Sequence, residues 1–441
     1  MTETALATGF TQDTFDAFLA ARDEPGWLTD LRVAAWKKFL ELPTPSRADE
    51  EWMRTDIRIF RLDKFGLPTA PAQEASGSEL SERGLLRRGV ELGGHSVSLN
   101  THHVEGSFSE ELKAKGVIFG NLEQLVREHG DLLKPHLLSR AVNPHADKFA
   151  ALHAACWSGG TLLYVPRGVE VEQPLHQLSL LSDGGVDMGH TLVIVEDNAS
   201  ATLLAESTSL TDEGAGLHCG AVELLVGQRA NLRYVNLQNW GTGVWHFAHQ
   251  KALVDQDANL QWTIGVLGSR LAKVNQHVGL VGTGAHAQVN GVMFSEGKQH
   301  LSYHTLQHHE APHCTSDLLY KGALQDDSRI VWRGMIKVDP GAQKTDGYQR
   351  NDSLILNRDA RADSIPGLEI EADDVRCTHG ATTGRVDDDQ IFYCRTRGMT
   401  RKEAVRMIVA GFFQQVSDRI PMESVRVALG DAIGQRIREY E

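Results

Sequence analysis

Near the C-terminus, the stretch DVRCTHGATTG places a cysteine and a histidine two positions apart. On a β-strand, Cys377 and His379 would point to the same side, because side chains alternate with a period of two. A thiolate and an imidazole on one face could bind a metal, act as nucleophile and base, or fill a core. Such neighbours lie about 6–7 Å apart, too far for a direct hydrogen bond. The spacing favours ligands of a metal or cluster that another molecule completes over a catalytic dyad.

The segment SYHTLQHHEAPHC, residues 302–314, is the densest group of potential ligands. It contains His304, His308, His309, His313 and Cys314. Imidazole and thiolate bind iron, zinc and copper, but histidines on a strand also form hydrogen bonds to neighbouring strands. The sequence leaves a stand-alone metal-binding protein open as an alternative.

Three consecutive aspartates, Asp387 to Asp389, form the main acidic cluster of this region. Carboxylates of this kind serve general acid–base chemistry, so a β-helical carbohydrate-active enzyme is a second alternative. The loop is short for a sugar site, and a solvated turn explains the charges equally well.

Other catalytic signatures are absent from the sequence or fit poorly. Gly282-x-Gly284-x-x-Ala287 is close to the dinucleotide fingerprint, but strand-like residues follow it where a helix is required. We therefore predict a turn there. The sequence contains no GxxxxGK[ST] or GxSxG motif, which argues against P-loop ATP hydrolysis and against the α/β-hydrolase class.

The composition also restricts the class of protein. The formal charge of −14 argues against binding to nucleic acid. No apolar run reaches the roughly 18–20 residues of a membrane span, and the N-terminus lacks the pattern of a signal peptide. Five widely spaced cysteines do not suggest a disulfide framework. We expect a cytoplasmic protein.

A repeat begins at residue 165 and consists of an aliphatic residue, three turn-forming residues and a small residue. The copies are Val165-PRG-Val169, Val195-EDN-Ala199, Val226-GQR-Ala230, Val254-DQD-Ala258, Val281-GTG-Ala285, Val338-DPG-Ala342 and Leu356-NRD-Ala360. The first five are 30, 31, 28 and 27 residues apart, and the later gaps of 57 and 18 break the regularity. Short strands within this period predict a β-solenoid rather than a propeller, whose blades need about 40–45 residues. A β-sandwich is the alternative.

Helical patterns flank the predicted solenoid, which gives three regions. Residues 1–100 are an N-terminal helical region with a linker, residues 101–397 the β-helix core, and residues 398–441 a C-terminal helical region. Thr400 and Glu403 have the spacing of a capping box. An apolar stripe follows on the same helix: Val405, Ile408, Val409, Phe412 and Val416. The pattern alone favours a cap over the last rung, with a docking surface as the alternative.

The run SIPGLEIEADDVRCTHGATTGRVDDDQIFYCRTRGMTRKEAVRMIVAGF, residues 364–412, resembles the C-terminal signature of the SufB/SufD family of iron–sulfur cluster assembly proteins. DKFAALHAACWSGGTLLYVPRGVEVEQPL, residues 147–175, is similar to the start of that family's β-helix. Within the family the chain is more similar to SufD. Its CTHGAT has the SufD form, and Asn351 stands where SufB carries a cysteine. Cys394, in IFYC, is closer to SufB.

The resemblance implies a right-handed parallel β-helix flanked by helical regions, and a scaffold role rather than an enzyme. It implies pairing with a SufB-like paralogue through the β-helices, and binding of a SufC-like ATPase through the C-terminal helices. It places His379, with Cys377 beside it, near a nascent cluster at the partner interface, and makes the stripe from Val405 to Val416 a SufC docking surface. It implies no cofactor in the isolated chain and transient iron or an Fe–S cluster in the complex. The edges of the predicted β-helix leave a homodimer open when SufB is absent.

Overall fold

The computed structural model describes residues 9–68 and 77–437. The first eight residues, residues 69–76 of the predicted linker and the last four residues of the predicted C-terminal region lie outside the described part.

Two largely parallel sheets form a β-helix. In spatial order, sheet A contains β2 (His102–Phe108), β1 (Gly94–Leu99), β5 (Leu175–Leu181), β8 (Ser200–Ser209), β10 (Asn231–Asn239), β12 (Asn259–Val266), β14 (His286–Ser295), β16 (Thr315–Leu324), β18 (Asp346–Ile355) and β20 (Arg376–Arg385). Sheet B contains β19 (Arg361–Ile370), β17 (Arg329–Val338), β15 (His300–His309), β13 (Leu271–Leu280), β11 (Gly243–Val254), β9 (Ala215–Val226), β7 (His190–Val195), β4 (Thr161–Val165) and β3 (Ile118–Asn121), with β6 (Gly185–Asp187) paired to β9. Among the strands of the described residues, β2 and β3 pair antiparallel and the others pair in parallel. The predicted mainly-β solenoid is confirmed. A sandwich is excluded because, from β7 onward, the chain passes from one sheet to the other at almost every strand.

Successive rungs stack residue upon residue. One interior row of sheet A runs through Tyr234, Trp262, Val289, Leu318 and Gln349. Apart from Gln349, these side chains belong to the main core cluster, together with small and branched residues of sheet B. Because each rung buries its interior residues against the rungs on either side, the stack is stable although no single rung is.

The repeat marks the corner at which the chain passes from sheet B to sheet A. At five of these corners a residue with positive φ precedes a buried small residue: Asn198 (59°), Arg229 (55°), Asp257 (53°), Gly284 (76°) and His313 (60°). The gap of 57 residues hides one further corner, where Cys314 takes the place of the usual alanine and is fully buried. Leu356 lies at the opposite corner, between β18 and β19, which explains the gap of 18.

Most of the N-terminal helices lie on the exterior of sheet B. The helix of residues 77–81 packs instead on β1 and β2 of sheet A, and the helix of residues 110–114 contributes Leu112 to the solenoid core. The N-terminal helices are α1 (Gln12–Ala20), α2 (Gly26–Glu41), α3 (Gly77–Ser81), α4 (Glu110–Ala114), α5 (Leu122–Glu128), α6 (Gly130–Leu133) and α7 (Lys148–Cys156), with 3-10 turns at Glu50–Trp52 and Leu62–Lys64. Phe149 of α7 stacks on Phe247 of β11, with ring centroids 3.9 Å apart. Helices α4 to α7 lie within the predicted β-helix segment 101–397, whereas β1 begins before it. The helical and β regions therefore interleave between residues 94 and 161.

The C-terminal helices are α8 (Asp388–Thr396), α9 (Arg401–Ser417) and α10 (Glu423–Arg436). The predicted capping box of α9 is confirmed, because the Thr400 hydroxyl accepts from the Glu403 amide and the Glu403 carboxylate accepts from the Thr400 amide. These helices pack on the exterior of sheet A, where Val292 and Phe294 of β14 and Leu319 of β16 receive them. The interpretation as a cap over the last rung is wrong, since their contacts are with the side of the solenoid.

Candidate functional site at the open end of the solenoid

Cys377 and His379 lie on β20, the last strand of sheet A. The register pairs Cys377 with Gly347 and His379 with Gln349, and Gln349 continues the interior row of the core. Both side chains therefore project to the interior side of the sheet. No further strand of the described residues follows β20. His379 is consequently exposed and Cys377 half-buried, although the matching positions of earlier rungs are buried.

The Cys377 thiol packs beside the small apolar cluster of Ile336, Val338 and Ala342. Burial raises its pKa; the Gly347 amide acts in the opposite direction, and Asp346 adds to the rise. The group is therefore a thiol at neutral pH, and a metal ion has to displace its proton to bind. Because His379 is exposed and Cys377 carries a proton, the imidazole is the ligand that a metal ion arriving from solvent would reach first.

The two edge strands, β19 and β20, leave this end of the β-helix unfinished. Leu368 and Ile370 of β19 stand in register with Ile336 and Val338 of β17. The β17 side chains are fully buried, whereas Leu368 and Ile370 are 37% and 40% exposed. Edge strands with unpaired backbone groups and exposed apolar side chains are templates for another chain. The arrangement brings a Cys–His pair to a surface that a further rung would close.

Asn351 lies one rung inside this end. It is fully buried on β18. Its amide is 3.5 Å from the Tyr320 carbonyl, and its side-chain oxygen accepts from the Ser364 hydroxyl. The side chain links the two sheets through hydrogen bonds, and this position carries no thiolate.

The exterior histidines of the segment 302–314 are paired with carboxylates. His304 Nδ1 is 2.6 Å from Glu51 Oε2. The His308 ring lies between Glu310, at 3.2 Å, and Asp339, at 2.9 Å. These contacts tie the exterior of sheet B to neighbouring segments.

His309 and Cys314 point to the interior, whereas His313 is exposed at the corner before β16. His309 Nε2 is 2.8 Å from the Ser316 hydroxyl, and the Cys314 thiol donates to the Gly282 carbonyl at 3.2 Å. The predicted cluster is thus divided between two sides of a sheet. With the side chains as they stand, no three His, Cys, Asp or Glu residues within 9–68 and 77–437 are placed to hold a metal ion.

Replacing His309 by asparagine is expected to flatten the pH dependence of stability between pH 4 and 6.5. Burial, with a smaller contribution from His308, lowers the pKa of His309 to about 4, against about 6.5 in an unfolded chain. Between these values only the unfolded chain binds the proton. The stability that neutral His309 contributes is therefore complete above pH 6.5 and lost as the pH falls through 4, by up to about 3 kcal/mol.

Urea unfolding at a series of pH values measures this slope. The exposed His145→Asn variant is the control and should follow the wild-type curve. A His309→Asn curve parallel to wild type across this range would show that the folded state does not exclude the proton.

The other sequence motifs have structural roles. Asp387 is the N-cap of α8 and accepts from the Asp389 amide at 2.9 Å, and Asp388 lies 3.7 Å from Arg401. The run of aspartates therefore begins a helix. Gly284 forms the corner before β14, as predicted, so the glycine motif opens no helix for a dinucleotide.

The predicted docking residues on α9 face largely inward. Val405, Val409 and Val416 are buried against sheet A, and Ile408 and Phe412 are half-buried. The three valines attach the helix to its own solenoid and offer no surface to a partner. The accessible apolar side chains of this region are instead Phe392, Tyr393, Met407 and Val427. Sequence periodicity did not identify these four residues, because it indicates only the apolar side of a helix, which is the side that becomes buried.

In the part of the chain that the structure describes, no helix is both long and apolar enough to cross a membrane.

Comparison with known proteins gives matches along most of the chain. The family model described as the SUF system FeS cluster assembly, SufBD core domain, matches residues 179–412, and the model of the SufBD protein N-terminal region matches residues 11–177. An iron-sulfur cluster assembly SufBD family protein of Staphylococcus epidermidis is 29% identical over 428 residues, covering 94% of this chain and 90% of the relative. Relatives with the same family description in Staphylococcus haemolyticus and Staphylococcus aureus are 29% and 28% identical over the same coverage. The match to the core model alone spans more than half of the 441 residues. The chain therefore belongs to the SufBD family of iron–sulfur cluster assembly proteins.

Proposed function

We propose that this chain is the SufD-like subunit of a Suf scaffold complex and supports iron acquisition and cluster formation beside a SufB-like partner. The observation that carries the proposal is the position of Cys377 and His379 on the last, uncovered strand of the solenoid. A half-buried thiol and an exposed imidazole supply two metal ligands, and a partner strand would supply the others. His379 is the leading ligand, because its ring is open to solvent.

The SufD-like assignment is supported by Asn351. A scaffold cysteine at this position is replaced by a buried amide that is engaged in hydrogen bonds. The cluster-building thiolate would then come from the partner, and this chain would contribute the end of its β-helix. The same open end would pair with a second copy of this chain when SufB is absent.

The energy for assembly would come from a SufC-like ATPase bound to the C-terminal helices. This sequence contains no P-loop, so a partner has to supply nucleotide hydrolysis. Phe392 and Tyr393 on α8 are the apolar side chains that such a partner would cover. The proposal describes a cytoplasmic scaffold subunit without catalytic residues, with no resident cofactor and with iron or a nascent cluster as transient cargo.

The test is anaerobic co-expression with SufB-like and SufC-like proteins, followed by purification and an absorption spectrum of the complex. We expect the cluster absorbance per complex to fall severalfold in His379→Ala, because the exposed ligand at the interface is lost. Thr378→Ala is the matched control, since it is exposed on the same strand and its side chain projects to the other side of the sheet.

Subunit stoichiometry separates the two parts of the proposal. A His379→Ala complex that contains all three subunits and gives the wild-type spectrum would refute the ligand assignment. Failure of the wild-type chain to co-purify with either partner would refute the scaffold role itself.

A further inference from the structure

Three histidines on the exterior of sheet B line one cavity of about 570 Å³. His249 lies on β11, His277 on β13 and His304 on β15. We call these three residues the sheet B histidine patch. The cavity lies between the sheet and the N-terminal segment that contains Pro43 and Trp52. It is on the opposite sheet from Cys377 and His379 and has no part in the function proposed above.

The register brings the three imidazoles of the patch around one point. Asn275 of β13 is paired with His249 on one side and with His304 on the other. Because neighbouring strands are about 4.8 Å apart, the Cα atoms of His249 and His304 are roughly 10 Å apart. His277 follows Asn275 by two residues and projects from the same side of the sheet. An imidazole reaches the centre of such a triangle from each corner.

Two of the three rings are held by carboxylates. His249 Nε2 is 3.1 Å from Asp147 Oδ2, and His304 Nδ1 is 2.6 Å from Glu51 Oε2. Asp147 is itself fixed, because its other oxygen accepts two amides at the start of α7. Each carboxylate takes the proton-bearing nitrogen, so His249 Nδ1 and His304 Nε2 keep their lone pairs. Metal-bound histidines are oriented by carboxylates in this way.

The third ring, His277, has no hydrogen-bond partner among the described residues. It is half-buried in the wall of the cavity, between two rings that are fixed. In the present side-chain positions the described residues contain no three converging ligands, so metal binding requires the His277 ring to turn toward the other two. Rotation of His277 about its side-chain bonds requires no hydrogen bond to be broken.

We propose that His249, His277 and His304 bind one divalent first-row transition ion, with Asp147 and Glu51 positioning two of the imidazoles. Three neutral imidazoles suit Fe²⁺, Co²⁺ or Zn²⁺ and leave a fourth position open toward the cavity. The two carboxylates bring negative charge to the patch, although Glu51 also lies 3.9 Å from the Lys273 ammonium. The nearest guanidinium, that of Arg333, is engaged by Glu50 and Glu51.

The test is an anaerobic titration of the full chain, without a histidine tag and stripped with chelator, using Co²⁺ as the probe. We expect one equivalent to bind, with visible absorption bands of imidazole-bound Co²⁺. His277→Leu and His277→Asn should both lose this binding while keeping the wild-type circular dichroism spectrum. Glu51→Gln should weaken it by about 10–100-fold, the usual effect of losing a group that orients a ligand.

Two controls separate the patch from other ligands. His308→Asn changes a half-buried histidine on the exterior of β15 outside the patch and should bind Co²⁺ as wild type does. The double variant Cys377→Ser/His379→Ala should also bind normally, so this test is independent of the site at the open end. Co²⁺ binding that survives in both His277 variants, or that disappears in the Cys377→Ser/His379→Ala variant, would overturn the proposal, as would a wild-type chain that binds none.

Discussion

Replacing Glu223 by alanine is expected to lower the free energy of unfolding by about 3–5 kcal/mol, because each buried donor that loses its acceptor costs about 1–3 kcal/mol. Glu223 lies on β9 and is fully buried. Its carboxylate accepts the amides of Leu138 at 2.7 Å and Val142 at 2.9 Å, and lies 3.1 Å from His190 Nε2. Alanine leaves these donors without an acceptor and without access to water, so the desolvation penalty is not compensated.

The pair is part of a longer buried chain of hydrogen bonds. His190 Nδ1 is 3.0 Å from His153 Nε2, and His153 Nδ1 is 2.8 Å from the Cys219 carbonyl. Burial, followed by the proximity of His190, lowers the pKa of His153 well below its usual value, so this ring is neutral. Its Nδ1 donates to the carbonyl and its Nε2 accepts from His190. Removing the carboxylate therefore leaves His190 Nε2 without its partner, while His190 Nδ1 stays bound to His153.

Urea unfolding followed by circular dichroism measures the loss of stability. Glu223→Gln should lose an intermediate amount of stability. The glutamine oxygen can still accept one backbone amide, but its NH2 group is a donor and cannot accept the other. The exposed Glu213→Ala variant should stay within about 0.5 kcal/mol of wild type. A loss below about 1 kcal/mol in Glu223→Ala would mean that water reaches the stranded donors.

Limited proteolysis shows where the structure loosens. The Glu223 carboxylate accepts the amides of Leu138 and Val142 and so fixes residues 138–142. The exposed Arg140 lies between these two residues. Tryptic cleavage after Arg140 should therefore accelerate in Glu223→Ala more than cleavage elsewhere.

The solenoid was predictable from sequence because its corners are local. Each corner needs a residue with positive φ followed by a small residue. Both lie within a five-residue segment, so alanine or glycine at the right position reveals the corner in the sequence. The rung at His313 and Cys314 escaped detection because a histidine can adopt positive φ and a cysteine can fill a small buried space. His313 and Cys314, which the sequence suggested as metal ligands, have the same structural role as Asn198 and Ala199.

The surroundings of the sites were not predictable, because their partners are distant in sequence. Glu223 meets amides 81 and 85 residues away, and Glu51 meets His304 across 253 residues. No periodicity records such pairs. Similarly, the stripe on α9 was correctly identified as apolar, but the sequence could not say whether a partner or the chain's own sheet covers it.

Replacing Phe392 by aspartate is therefore expected to reduce binding of the SufC-like ATPase at least tenfold, if the proposed docking is correct. Phe392 is 68% exposed on α8, and large exposed aromatic side chains at interfaces commonly contribute 2 kcal/mol or more. A charge at this position would oppose burial by a partner and leave the fold unchanged. Phe412→Asp is a poor test of docking, because its ring packs on Phe413 at 5.2 Å and under the Lys321 ammonium at 4.7 Å.

A pull-down with quantified ATPase and a binding isotherm would measure the effect. Ile59→Asp is the matched control, since Ile59 is 66% exposed and belongs to the N-terminal region rather than to α8. Equal binding by wild type, Phe392→Asp and Ile59→Asp would place the ATPase elsewhere on the chain. A docking surface centred on α8 predicts that binding falls in Phe392→Asp and not in Ile59→Asp. Equal losses in both variants would instead indicate a general effect of the added charge.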